Sequence, residues 1–214
     1  MKIGVLGTGT VGQTIGSKLV QLGHEVMMGS RDSANPKAIT WAKAEGPRAS
    51  FGTFANAAAF GELLFNCTLG TATLEALRQA GAENLRGKIL IDTANPLDYS
   101  TRPWTLTVCN TDSLGEQIQR TFPEARVVKA LNTMNVNVMV DPQKLPTGTD
   151  VFISGNDTEA KAVVISLLRD WFGWKSAIDL GDITTARGVE MYDLLRQSLR
   201  GAVDSHRFNI KVVS

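Results

Sequence analysis

A chain of 214 residues and 23.1 kDa is long enough to remove roughly 70% of its unfolded surface from water in one full-sized domain. Hydrophobic residues at 43% and charged residues at 20% exclude a disordered, collagen-like or coiled-coil protein. The 22 Lys and Arg balance 21 Asp and Glu with no run of one sign, so the chain lacks the concentrated basic field that nucleic acid or an anionic membrane selects.

The opening Lys2 to Leu6 (KIGVL) is a short apolar run stopped by Gly7, too short for a signal-peptide core or a membrane span. From Thr10 to Leu22 the positions Val11, Ile15, Leu19 and Leu22 form one helical stripe, and Glu25 to Met28 supplies a second strand. Residues 2 to 28 thus predict a βαβ unit. The alternation continues with a helix over Thr53–Phe60, a strand over Leu63–Asn66, a helix over Ala72–Ala80 closed by Gly81, and a strand over Lys88–Asp92. Asn95 to Cys109 shows no period and contains Pro96, Pro103 and Trp104, the composition of a long covering loop and a candidate lid. A helix over Asp112–Phe122, a strand over Arg126–Ala130, an irregular stretch over Asn132–Gly148 and a strand over Val151–Ser154 follow. Asn156 with Glu159 three residues on predicts a capping box, before a helix striped by Ala160, Val164, Leu167, Leu168 and Trp171. Ala177–Leu180 reads as the last strand, and Gly181–Ser214 as a Leu-rich helix with a short tail.

Strands and helices taking turns predict an α/β protein of the Rossmann type, a doubly wound, mostly parallel sheet with a small helical C-terminal region. The expected division is residues 1–178 and 179–214. In that last helix Val189, Met191, Leu194, Leu195 and Leu199 form an apolar set wider than one face, which predicts a homodimer.

The motif with chemical content is Gly7-Thr8-Gly9-Thr10-Val11-Gly12, a GxGxxG between the first strand and the first helix. In that context the first glycine makes the tight turn, the second admits a pyrophosphate and the third lets helix pack on strand. At the end of the second strand, where an NAD site carries an acidic residue, this chain has Gly29-Ser30-Arg31. Ser30 and Arg31 suit a 2′-phosphate, with Lys37 as a second positive contact, so the expected cofactor is NADP(H). In a parallel sheet the ligand crosses the carboxyl ends of the strands. Thr68 and Leu69, Ala94 and Asn95, and the loop from Leu131 to Asn135 are therefore candidates to line the nicotinamide half.

Cys67 and Cys109 have neither disulfide nor metal spacing, so no metal site and a reducing cytoplasm are expected. His24 and His206 read as surface or packing histidines, and Lys129 as the close of its strand. No triad or HExxH motif is present. Hydride transfer requires none, because cofactor and acceptor carry the chemistry.

The segments KIGVLGTGTVGQTIGSKLVQLGHEVMMGSRD, GKILIDTANPLD, VVKALNTMN, VFISGNDTEAK and DLGDITTARGVE resemble the coenzyme F-420-dependent NADP oxidoreductases over residues 1 to about 190. The resemblance implies hydride transfer between NADP(H) and a deazaflavin over the nicotinamide, with Thr8 to Val11 on the pyrophosphate and Ser30, Arg31 and Lys37 on the 2′-phosphate. The sequence differs from archaeal members by having Asn132 for a His and Asn135 for a Pro. Asn132 and Met134 are the candidates nearest the acceptor, and no residue is assigned a catalytic role. The alternatives are a flavin acceptor such as FMN or FAD, a small carbonyl or imine substrate, and a non-catalytic NADP(H) sensor. A second cavity beside the nicotinamide would separate an enzyme from a sensor.

Overall fold

A computed structural model describes residues 1–100 and 102–213. Its N-terminal half is β1 (Lys2–Leu6), α1 (Thr10–Gln21), β2 (Glu25–Ser30), α2 (Pro36–Glu45), β3 (Ala49–Thr53), α3 (Phe54–Phe60), β4 (Leu63–Asn66), α4 (Thr73–Ala80), α5 (Ala82–Leu85) and β5 (Ile89–Asp92). A two-residue ribbon, β6 (Leu97–Asp98) with β7 (Thr105–Leu106), leads to α6 (Leu114–Thr121), β8 (Arg126–Ala130), α7 (Val136–Met139) and β9 (Val151–Ser154). The chain closes with α8 (Thr158–Phe172), β10 (Ala177–Asp179) and α9 (Ala186–Ala202).

The main sheet has the order β10-β9-β8-β5-β4-β1-β2-β3. It is parallel from β3 to β8; β9 then pairs antiparallel with β8, and β10 runs with β9. This is the expected doubly wound α/β fold, reversed at one edge. Successive strand residues alternate between two buried layers. Ile3, Val5, Phe65, Ile91 and Val128 face the layer of Ile15, Leu19, Trp41, Val164, Leu168 and Phe172. Leu6, Leu64, Leu90 and Val127 face that of Ala57, Leu77, Leu85, Ile118 and Phe122.

Four details correct the sequence expectations. The cap of α8 is Asp157, whose side chain accepts from the Ala160 N–H, while Asn156 Oδ1 accepts from the Ile183 N–H. Asn156 is thereby committed to tying the start of the C-terminal region to the sheet. The stretch from Asn95 to Cys109 contains the β6–β7 ribbon, and the irregular stretch after Asn132 contains α7, capped by Asn135. The strand Ala49–Thr53 lacks an apolar run, being largely half-exposed at the sheet edge. In α9 the buried stripe is Ala186, Val189, Glu190 and Asp193, whereas Leu194 and Leu195 are exposed.

Candidate functional site

The carboxyl ends of the parallel strands open into one cleft of about 920 Å³. That volume lies at the upper end of the range for small-molecule sites. The turn Gly7–Val11 forms one wall, with Arg31 beside it; Thr68, Leu69, Ala94 and Asn95 follow, and then Asn132, Met134 and Asn135. Tyr99 from the ribbon and Asp193, Arg196 and Arg200 from α9 complete the lining.

The three glycines of the turn have distinct geometry. Gly7 has φ 121°, a left-handed conformation disfavoured for other residues, and a Cβ there would lie 2.5 Å from the Cys67 carbonyl oxygen. A Cβ at Gly12 would lie 2.1 Å from the Gly7 carbonyl oxygen, so helix and strand touch through backbone alone. A Cβ at Gly9 would meet nothing within 4 Å. Gly9 is also the N-cap of α1, with no side chain capping the helix, so its first N–H groups and positive end are available to an anion. Open backbone before an uncapped helix fits a pyrophosphate.

At the tip of β2 the Ser30 hydroxyl donates to the Asp32 carbonyl at 2.5 Å, and Ser30 is buried. Asp32 Oδ1 accepts from the Ala34 N–H. Arg31 is exposed on the cleft wall and, among the described residues, makes no ion pair. Lys37 stands apart from these, at the start of α2 in a shallow depression with Gln13 and Ser17. Ser30, Arg31 and Lys37 therefore start from different positions: one engaged with its own turn, one on the cleft, one beside it.

The loops after β4 and β5 are held by a buried polar network. Thr68 Oγ1 donates to Asn66 Oδ1 at 2.7 Å, and Asn66 Nδ2 donates to Asp92 Oδ1 at 2.7 Å. Asp92 Oδ2 pairs with Lys129 Nζ at 2.5 Å, and Lys129 also reaches Glu190 Oε1 at 2.7 Å and the Ala94 carbonyl at 2.8 Å. Glu190 in turn accepts from the Leu114 and Gly115 N–H groups, at the positive end of α6. Burial alone would lower the pKa of Lys129, but the charges of Asp92 and Glu190 outweigh it and hold the ammonium above its ordinary value. Lys129 is next to last in β8, at the close of its strand, and is fully buried. The network joins sheet centre, the loop after β5, α6 and α9, and the carboxylates it joins lie far apart in sequence.

Asn132 sits where these parts meet. Its Nδ2 donates to Asn95 Oδ1 at 2.9 Å and to the Val189 carbonyl at 3.0 Å, while Asn95 Nδ2 donates back to the Asn132 carbonyl at 2.8 Å. Its Oδ1 has no hydrogen-bond partner among the described residues, although the residue is 2% exposed. Met134 is likewise buried on the cleft wall. Among the described residues no cluster of His, Cys, Asp and Glu suits a metal ion, and no helix is long and apolar enough to cross a membrane.

The family model for NADP oxidoreductase, coenzyme F-420-dependent, matches residues 2–96, which span β1 to the loop after β5. The F-420-dependent NADP reductase of Methanocaldococcus jannaschii is 31% identical over 200 residues, covering 89% of this chain and 88% of that protein. The chain belongs to the coenzyme F-420-dependent NADP oxidoreductase family. It is accordingly an NADP-dependent oxidoreductase. The F-420-dependent NADP reductase of Methanothermobacter marburgensis is 29% identical over 203 residues, 89% of this chain and 88% of the relative. A crystal structure from Arthrobacter sp. FB24, provisionally described as an F-420-dependent NADP reductase, is 52% identical, superposes with a TM-score of 0.95 and covers both chains in full. Glu190 and Asp193 are the residues that sequence patterning does not bring forward, and it gives Lys129 only as the close of its strand; the signal for the first two is a pair of carboxylates on the stripe of Ala186 and Val189.

Proposed function

We propose that the cleft holds NADPH against a deazaflavin, coenzyme F-420, and that hydride passes between the two rings. What carries this is the continuity of the cleft, whose lining runs from the open turn at Gly9 past Asn95 to Asn132, Met134, Tyr99 and Asp193. A sensor of NADP(H) has no need of a cleft that extends past the dinucleotide. The full-length similarity to the M. jannaschii F-420-dependent NADP reductase supports the deazaflavin as acceptor over FMN, FAD or a carbonyl or imine.

In this mechanism Gly7 to Gly12 and the start of α1 bind the pyrophosphate, and Arg31 binds the 2′-phosphate, with Ser30 and Lys37 as further donors once the tip of β2 adjusts. Thr68, Leu69, Ala94 and Asn95 line the nicotinamide ribose and ring. The bound nicotinamide supplies the hydride from its C4, and one proton from solvent completes reduction of the acceptor. The protein contributes ring-on-ring position, since well-oriented neighbours can gain roughly 7–11 kcal/mol of the barrier. Lys129, through the Ala94 carbonyl, fixes the loop against which the nicotinamide rests. The division into an NADP-binding unit over residues 1–178 and a small helical region over 179–214 splits the acceptor wall, with Tyr99, Asn132 and Met134 on the first and Asp193 on the second.

The deciding experiment is stopped-flow oxidation of NADPH by the purified protein with F-420, FMN and FAD offered separately. Turnover with F-420 well above the others is expected; binding of NADPH without oxidation by any acceptor would favour a sensor. We also place the protein in the cytoplasm as a homodimer through the exposed Leu194 and Leu195 of α9. Sedimentation that found only the 23.1 kDa species would remove the dimer.

A further inference from the structure

α9 carries two carboxylates on its buried stripe, Glu190 and Asp193, 1% and 0% exposed. They differ in one respect. Both oxygens of Glu190 are used, by Lys129 and by the Leu114 and Gly115 N–H groups. Asp193 uses only one: Oδ1 accepts from Arg196 Nε at 2.5 Å, and Oδ2 has no hydrogen-bond partner among the described residues. A buried carboxylate oxygen without a donor is costly, and such groups in a folded protein call for a physical explanation.

Two observations supply one. Asp193 lines the cleft, on the side away from the Gly9 turn, together with Arg196 and Arg200. Asn132, on the same cleft, also has an orphaned buried acceptor, Oδ1, and is bonded to the Val189 carbonyl one helical turn before Asp193. The two acceptors are thus tied to one stretch of α9, and neither is matched by a donor among the described residues. Arg196 has no such deficit, because its Nε is engaged by Asp193 itself.

We infer that Asp193 is a specificity-determining residue for the hydride acceptor, its Oδ2 accepting a hydrogen bond from a ring N–H of that molecule, with Asn132 Oδ1 as the second acceptor. This rests on the function proposed above and narrows it. The acceptor is a heterocycle that presents an N–H on its edge, as the pyrimidinedione N3–H of a deazaflavin or flavin does, and that gains a second N–H on reduction. A fully N-substituted or purely carbocyclic acceptor leaves both oxygens unmatched and is rejected. A carboxylate in this place also favours the reduced, N–H-bearing ring over the oxidised one.

The test compares wild type with Asp193→Asn, which keeps the size of the side chain and replaces the orphaned oxygen by a donor. The Michaelis constant for F-420 is expected to rise at least about tenfold, the equivalent of one charge-assisted hydrogen bond, while NADPH affinity measured by fluorescence stays unchanged. The thermal midpoint of the cofactor-free protein should fall only slightly, because Asn keeps an oxygen to accept from Arg196 Nε and loses only the charge of that pair. An unchanged F-420 constant would overturn the inference, as would a strongly lowered midpoint with both substrate constants rising together, the signature of packing. If wild type reduces FMN but not F-420, the proposed function loses its deazaflavin and the same comparison with FMN decides Asp193. If wild type reduces neither, both fall.

Discussion

Alanine at Gly9 and alanine at Gly12 are expected to fail in opposite ways. Gly9 has φ −76° and ψ −179°, an extended conformation open to any residue, and its added methyl group meets nothing within 4 Å. Stiffening the unfolded chain gains about 0.4–1 kcal/mol, and losing a favourable N-cap residue costs about as much, so stability should hardly move. The methyl group nevertheless occupies the space that the pyrophosphate needs. A loss of at least about tenfold in NADPH affinity, about 1.4 kcal/mol, is expected. At Gly12 the new carbon would lie 2.1 Å from the Gly7 carbonyl oxygen, where ordinary contact begins at 3.4 Å. The junction of β1 and α1 must then open, at a cost of about 1–3 kcal/mol or more. For a chain of this size that lowers the thermal midpoint by roughly 2–12 °C. Fluorescence titration with NADPH and a thermal melt on each variant separate the cases. Wild-type NADPH affinity in Gly9→Ala would refute the placement of the pyrophosphate, and a wild-type melt in Gly12→Ala would refute the close packing.

Arg31→Ala should weaken NADPH by about 10- to 150-fold, the range of one charge-assisted hydrogen bond, and leave NADH nearly unaffected; equal losses in parallel titrations would unseat Arg31 from the 2′-phosphate. Lys129→Met leaves Asp92 and Glu190 buried without their cation and should destabilise by about 3–5 kcal/mol in urea unfolding, whereas a neutral result would mean that the three groups are not a charged unit. Acid should unfold the protein as two aspartates are protonated. The Arg126 guanidinium holds Asp157 down to about 2, and Arg120 does the same for Asp112. Both folded values lie below the unfolded ones, so this stability is complete above about pH 4 and disappears as pH falls toward 2. Asp157→Asn should flatten that limb of a melt-against-pH curve, and an unchanged slope would exclude Asp157 from it.

Much of the fold was legible because the N-terminal half obeys local rules. Ile3 and Val5 alternate with Gly4 and Leu6 in a short run, Gly7 ends it, and the Ile15–Leu19 stripe follows at helical spacing, so β1, α1 and β2 emerge from patterning alone. Direction is not local. Val151–Ser154 looks the same in sequence whichever way it runs, and nothing in it announces the antiparallel pairing with β8. Helix capping was misplaced by one residue because Asn156 and Asp157 are both good caps, and tertiary structure claims Asn156 for Ile183. The role of Lys129 was missed for a related reason: its partners lie 37 residues upstream and 61 downstream, and in sequence a lysine among valines looks like the end of a strand. The cleft-side loops were found by their place after strands, yet Asp193 sits on a helix, where sequence reasoning weighed only the leucines.

The reversal of β9 has a consequence for how the molecule tolerates change. Because β9 and β10 run against the other strands, their carboxyl ends emerge at the opposite edge of the sheet, and the cleft takes no lining from residues 140 to 192. The turns near Gly155 and Gly181 therefore bear on the pocket only indirectly, through the Asn156 bond that holds Ile183 at the entry to α9. In the proposed arrangement the dinucleotide side draws on the βα turns of the N-terminal half, and the acceptor side on the ribbon, the loop after β8 and α9. Swapping α9 between relatives should exchange acceptor preference as a cassette while the grip on NADP(H) stays with the host.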